Sequence, residues 1–158
     1  MSDIKDRPNK YPLPPLLTLA TLIACYFLDR FLPIGWEAEK VTPFMNGAGY
    51  LAIFIALMID VWALVTFRRN NANMMPHKAA SQLLVSGPFA YSRNPIYLAN
   101  VLLTIGFAYA LGSRWYLIGA LVLFVLLSEL AIKREEEHMK ENFGSHWKDY
   151  CTAVRRWI

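Results

Sequence analysis

The sequence predicts an all-α, polytopic membrane protein with about four transmembrane helices. Three observations carry that prediction. Of 158 residues, 56% are hydrophobic and only 18% are charged, against about 25% charged in an ordinary soluble domain. The apolar residues fall in four blocks. Most Lys and Arg residues sit between and beyond those blocks, and the net charge is +4. This composition excludes a disordered chain, a disulfide-stapled secreted domain and an ordinary soluble enzyme. The length allows a single integral-membrane domain, residues 1–158. The basic charge reads as membrane-flanking charge, so no nucleic-acid partner is expected.

A spanning helix needs about 20 residues at a rise of 1.5 Å. The first block, 13–32, ends at Pro33 and Gly35 and carries Asp29 and Arg30 in its last turns. The polar segment before it, Met1 to Tyr11, precedes an apolar block without a small-residue cleavage site, so a retained helix is expected rather than a signal peptide. The second block, 47–67, lies between Pro43 and the pair Arg68–Arg69 and contains one acid, Asp60. That acid is expected to be paired, with Arg30 or with a helix dipole. The third, 96–112, starts after Pro95, and the fourth, 115–132, contains Glu129. Only Gly112-Ser113-Arg114 separates these two, which predicts an antiparallel helical hairpin.

Orientation follows from the basic residues. The N-terminal tail carries Lys5, Arg7 and Lys10, the connection 68–95 carries four Lys or Arg, and the tail 133–158 carries six. The other two connections carry Arg30 with Lys40, and Arg114. Four spans put both termini on one side, and all three basic segments then fall on that side. It is assigned to the cytoplasm, with prokaryotic inner membrane as the expected location. Cys25 lies in an apolar block and Cys151 in a polar tail, so free thiols and a reducing compartment around Cys151 are expected.

The segments 68–95 and 133–158 are too long and too aromatic for plain connectors. The tail reads as a helix continuing from the fourth span and broken near Phe143-Gly144, with Ser145 as N-cap of the restart. Tyr150, Cys151, Val154 and Trp157 make one apolar stripe on it. Arg93 stands just ahead of the helix that Asn94-Pro95 opens, a place suited to a carboxylate or phosphate. Lipid phosphate or a tail glutamate would serve it equally. Glu129 and Glu136, seven residues apart, share a face, with Glu129 buried deeper; Glu135 and Glu136 diverge by about 100° and cannot do the same job. The alternative is a solvated charged turn with Glu129–Lys133 and Lys133–Glu137 pairs.

Other chemistry lacks its signature. Gly47-Ala48-Gly49 has no preceding strand and no third glycine. His77 stands alone, His138 and His146 straddle the Phe-Gly break, and no metal site is expected. No Gly-X-Ser-X-Gly or Cys/His pairing points to covalent catalysis.

Several strings in order carry a resemblance. They are Pro76-His77-Lys78, Leu84-Val85-Ser86-Gly87-Pro88-Phe89 and Ser92-Arg93-Asn94-Pro95-Ile96-Tyr97-Leu98, then Glu135-Glu136, Phe143-Gly144, Trp147, Tyr150 and Val154-Arg155-Arg156-Trp157. With these, residues 73–158 resemble the isoprenylcysteine carboxyl methyltransferase family, and more distantly the phosphatidylethanolamine N-methyltransferases. Asn94 stands where the eukaryotic enzymes of that family have His. The resemblance implies S-adenosylmethionine as cofactor, held by the cytoplasmic loop and tail in a pocket that is not a Rossmann fold. It implies cofactor contacts at Tyr91, Arg93, Asn94, Pro95, Tyr97, Leu98, Glu135, Glu136, Trp147 and Tyr150, with Arg93 and Glu136 as catalytic residues. Arg93 would take the carboxylate, Glu135 or Glu136 the α-ammonium, and the aromatics the adenosine or the sulfonium. The partners implied are the lipid bilayer and an amphiphilic or lipid-like methyl acceptor, with a carboxylate slightly preferred over an amine. An NADPH-dependent membrane reductase and a small non-enzymatic membrane subunit are the alternatives.

Overall fold

The computed structural model describes residues 13–35, 42–70 and 83–158. The N-terminal tail, Glu37, Glu39 and Lys40 of the first connection, and Pro76-His77-Lys78 lie outside those residues. The described chain is all-α, with helices α1 (Leu13–Phe31), α2 (Pro43–Arg69), α3 (Pro95–Leu111), α4 (Trp115–Leu126) and α5 (Lys133–Ala153). A 3₁₀ turn, Gly87–Ala90, precedes α3, and a π-helical segment, Leu127–Ile132, joins α4 to α5. Helices α1, α2 and the Trp115–Ala153 rod are long and apolar enough to cross a membrane, and α3 is a shorter apolar helix. At 17 residues α3 reaches about 25 Å, near the lower limit for a span. Large apolar side chains such as Leu19, Phe54, Leu121 and Val125 stand exposed on the outside. That arrangement suits hydrocarbon rather than water, and the chain is an integral membrane protein.

The apolar pattern places α2 from Gly47, but the helix starts at Pro43. Thr42 caps it, its hydroxyl accepting the Met45 N–H at 3.3 Å, and proline fits the first turn. Helix α2 packs most extensively on α3, where Gly49 crosses Gly106 with backbone almost in contact. A Cβ on Gly106 would lie 2.7 Å from the Ile53 side chain, and one on Gly49 would lie 2.8 Å from the Gly106 carbonyl. On the far side of α3, helix α4 returns as a hairpin and α1 covers it. Cys25 closes on the Trp115 carbonyl at 3.3 Å, above Gly119.

The two ends of the bundle differ. At one end Gly35 pairs with Ser113, and the indole N–H of Trp115 donates to the Leu32 carbonyl at 2.6 Å. At the other end Tyr97, Leu123, Leu127, Ala131 and Ile132 form a buried cluster, into which Leu17, Ile96, Val101 and Trp157 pack. Arg30 belongs to the first end and Asp60 lies toward the second, so the expected Asp60–Arg30 pair does not form; Oδ1 of Asp60 is buried without a hydrogen-bond partner.

The rod beyond Ile132 continues unbroken to Phe143, and Gly144 (φ 51°, ψ −116°) breaks it where the sequence placed the break. Two sequence expectations about this rod are corrected. Glu129 and Glu136 do not share a face. Glu129 is exposed and pairs with Lys133, while Glu136 turns inward. The π segment between them takes about one extra residue per turn, which rotates everything after it. Trp157 also leaves the Tyr150–Cys151–Val154 stripe. The helix ends at Ala153, Val154 is extended, and Trp157 stacks on Phe124 at 4.6 Å.

Candidate active site

The second end of the bundle gathers Ser92, Arg93, Asn94, Tyr97, Glu135, Glu136 and Arg156 around the start of α3. Ser86-Gly87-Pro88 turns the chain into the 3₁₀ turn, and Asn94 and Pro95 open α3. Phe89 leans on Phe67 of α2 at 5.3 Å, and Thr66 lies against Gly87, so the loop is anchored on α2. Its other face is held by the segment after α5. The Arg93 N–H donates to the Arg155 carbonyl at 3.0 Å, and the Asn94 amide donates to the Arg156 carbonyl at 3.0 Å. The Ser92 hydroxyl donates to that same Arg156 carbonyl at 3.4 Å and accepts the Asn94 N–H at 3.1 Å. Asn94 thus spends its side chain on the tail and leaves the first N–H groups of α3 without a side-chain cap.

Arg93 is the hub. Its guanidinium pairs with Glu136 at 3.3 Å, touches the Cys151 sulfur and lies over the Trp147 ring at 5.5 Å. Its Nε is buried without a hydrogen-bond partner. Glu136 is gripped from the other side by Arg156, whose Nε donates to Oε1 at 3.0 Å and whose Nη2 bonds Oε2. The two arginines therefore share one carboxylate, and one positive charge remains over in this knot. The hydrogen bonds that Arg156 donates to Glu136 hold the Arg156 pKa above its usual value, so that cation persists.

Glu135 points elsewhere, as the 100° offset requires. It accepts the Tyr97 hydroxyl at 2.6 Å, and among the described residues no cation pairs with it. Burial pushes its pKa up to about 7, and the negative charge of Glu136 adds to the rise; the Tyr97 hydrogen bond opposes it. Tyr150 is buried, donates to the Phe89 carbonyl at 2.6 Å and packs on Trp147 at 5.7 Å. Burial pushes its phenol up to about 12 against the pull of Arg93, so it stays a neutral donor.

The structure brings Arg93, Asn94, Pro95, Tyr97, Glu135, Glu136, Trp147 and Tyr150 to one end of the bundle. Leu98 joins them through the backbone, its N–H donating to the Asn94 carbonyl at 3.0 Å. Tyr91 stands apart, exposed and tilted against Trp62 of α2 at 6.0 Å. Arg156 and Cys151 are members that the sequence reading names but does not assign to the site. Arg156 sits 20 positions from Glu136 across a helix break, so no periodicity links them. Among the described residues no three His, Cys, Asp or Glu side chains gather as metal ligands.

A family model described as phospholipid methyltransferase matches residues 45–146. Among curated proteins, Delta(14)-sterol reductase LBR of Gallus gallus is 26% identical over 142 residues, covering 85% of this chain and 22% of that protein. An uncharacterized protein of Haemophilus influenzae is 27% identical over 63 residues, covering 40% of this chain and 100% of that protein. This chain thus spans 22% of the length of the reductase. No solved structure matches.

Proposed function

The chain belongs to the phospholipid methyltransferase family, and from that premise we propose that it transfers the methyl group of S-adenosylmethionine to an amphiphilic acceptor in the bilayer. The observation that supports the cofactor is the divided charge at the start of α3. On one side stand Arg93 and Arg156, sharing a single carboxylate and leaving Nε of Arg93 open. On the other stands Glu135, with a phenol and, among the described residues, no paired cation. An α-amino acid moiety carries the complementary pair of charges. The residues fit it, with Arg93 and the uncapped N–H groups of α3 on the carboxylate and Glu135 on the α-ammonium. Glu136 serves as a positioning residue that fixes both arginines. Trp147 and Tyr150 form the aromatic wall, and a cationic sulfonium is a suitable neighbour for such rings.

S-adenosylmethionine supplies an activated methyl group on a sulfonium, so the chain itself need perform little covalent chemistry. Its residues orient, exclude water and hold the reacting groups together, and orientation alone lowers a barrier by about 7–11 kcal/mol. The Arg93-to-tail hydrogen bonds keep the loop closed over the start of α3, and the Trp157–Phe124 stack ties the tail to the apolar rod. With both termini on the cytoplasmic side, the cofactor enters from the water and the acceptor from the membrane. Arg93 and Arg156 face the aqueous side of this arrangement.

The likeness to a sterol reductase supports a second reading, a membrane reductase of related architecture that uses NADPH. Equilibrium binding to detergent-purified protein separates the two. The methyltransferase reading expects saturable S-adenosylhomocysteine binding and none of NADPH. Saturable NADPH binding without S-adenosylhomocysteine binding would replace it with the reductase.

A further inference from the structure

Asn94 holds the N-cap position of α3. An asparagine there ordinarily accepts an N–H of its own helix with the side-chain oxygen. Here it does not. The helix has no side-chain cap, and Nδ2 of Asn94 donates instead to the Arg156 carbonyl at 3.0 Å. A carbonyl can only accept, so this partner fixes which end of the amide faces the segment after α5. That segment is held at several points. The buried Ser92 hydroxyl donates to the same carbonyl at 3.4 Å, and the Arg93 N–H donates to the Arg155 carbonyl at 3.0 Å. Nε of Arg156 donates to Glu136 at 3.0 Å. Trp157 stacks on Phe124 at 4.6 Å and packs into the cluster that contains Tyr97, Leu123 and Ile132. Residues Val154 to Trp157 thus form a strap across the start of α3, and Asn94 is the helix-end side chain bonded to it. With the strap lifted, the same side chain could turn back and accept the N–H of Ile96 or Tyr97, the second and third residues of the helix. A ligand carboxylate seeks those same donors.

We propose that Asn94 is a positioning residue: held by the strap, it leaves the first N–H groups of α3 open to the cofactor's carboxylate, so that strap docking and cofactor binding reinforce each other. The proposal rests on the methyl-transfer reading of the site. It gives Asn94 a role other than the cofactor contact that the family resemblance implies. Its basis is competition for one set of donors. Arg93 precedes these N–H groups, and its buried Nε is likewise without a hydrogen-bond partner among the described residues. Capping by Asn94 would take donors from an anion site that the strap keeps open. Such coupling is reciprocal: what the strap adds to ligand affinity, the ligand adds to docking of the strap. An aspartate at position 94 separates this role from plain capping. It caps a helix as well as asparagine does. It has no donor for the Arg156 carbonyl, however, and it brings a second negative charge to the donors that the ligand's carboxylate needs.

The test uses the full chain in detergent and reads two quantities. One is S-adenosylhomocysteine affinity by calorimetry. The other is hydrogen exchange of the Arg93 amide, whose N–H the Arg155 carbonyl holds while the strap is docked. In the wild type, S-adenosylhomocysteine should slow that exchange. Asn94→Asp should weaken S-adenosylhomocysteine binding about 10- to 150-fold, the range for losing a charge-assisted bond. It should also speed the exchange without ligand and abolish the response to ligand. Asn94→His keeps an N–H donor for the carbonyl and should retain most of the affinity. Trp157→Ala frees the strap from Phe124 and should lower affinity about 5- to 150-fold, the usual span of coupling between two sites. In an Asn94→Asp background the same change should add little. Trp157→Ala decides the matter should Asn94→Asp fail to fold. An Asn94→Asp protein that binds like wild type overturns the proposal. So does Asn94→His if it loses as much affinity as Asn94→Asp, and so does Trp157→Ala if exchange quickens with affinity unchanged. A wild-type protein that binds no S-adenosylhomocysteine defeats the methyl-transfer reading alone. Exchange without ligand then decides the role of Asn94: faster in Asn94→Asp supports the link to the strap, and an unchanged rate overturns it.

Discussion

Arg93 meets Glu136, Cys151 and the Trp147 face with its guanidinium and the Arg155 carbonyl with its backbone. Removing it takes one charge-assisted contact from a ligand carboxylate and frees Glu136 to pair with Arg156 alone. Arg93→Ala is expected to weaken S-adenosylhomocysteine binding by about 1.5–3 kcal/mol, roughly 10- to 150-fold. Glu137→Gln, at an exposed neighbour, should leave it unchanged; titration calorimetry reads both. Glu135 gives a pH dependence of definite sign. Its pKa of about 7 in the fold lies above the usual carboxylate value, so the folded chain holds that proton more tightly than the unfolded chain does. The contribution favours folding fully below about pH 4.3 and declines as pH rises to about 7. Ligand binding runs the other way, because an α-ammonium favours the ionised carboxylate. Affinity for S-adenosylhomocysteine should climb between pH 6 and 8, and Glu135→Gln should flatten the profile. A flat wild-type profile would remove Glu135 from the ammonium site.

At the level of elements, the α2–α3 contact and the π segment set the site. Gly49 and Gly106 let α2 and α3 meet at backbone distance, and that fixes the height of the Gly87–Phe89 turn on Thr66 and Phe67. Any Cβ at Gly49 would strike the α3 backbone, which cannot yield as a flexible side chain can. Gly49→Val should therefore destabilise by about 1–3 kcal/mol, the usual cost of overpacking. It should lower the unfolding midpoint in detergent and weaken cofactor binding through the displaced loop; an unchanged midpoint would refute the crossing. The π segment acts on direction rather than distance. It turns Glu136 inward to Arg93 and Arg156 while Glu129, one heptad earlier, stays outside with Lys133.

At the scale of the molecule, the basic segments and the number of spans agree on a topology. Four spans with the N-terminal tail, the 68–95 connection and the 133–158 tail on one side predict that Lys78 and Glu39 lie on opposite sides of the membrane. Single cysteines at these two positions, in a background lacking Cys25 and Cys151, should react with an impermeant thiol reagent from opposite sides. Labelling of both from one side would break the four-span arrangement. The same asymmetry distributes the chemistry. The end with Arg93, Arg156 and Glu135 is polar and bound by side chains, whereas the Gly35–Ser113 end is closed by backbone pairing and the Trp115 indole.

The sequence by itself determined the helical class, the apolar rods and the break at Gly144. Each is a local matter of hydropathy, length and backbone preference, which chain order carries directly. It also placed Arg93 before α3 and set Glu135 and Glu136 on different headings, because helix geometry fixes the angle between neighbours. What only the tertiary structure decided was which partner each heading finds. Glu136 meets two arginines from segments 43 and 20 positions away, Trp157 leaves the α5 stripe for Phe124, and Oδ1 of Asp60 finds no hydrogen-bond partner among the described residues where Arg30 was expected. Those outcomes depend on a π segment, a helix end and a crossing at two glycines. Each rotates or shifts an element by a residue or less, and hydropathy does not register a change that small.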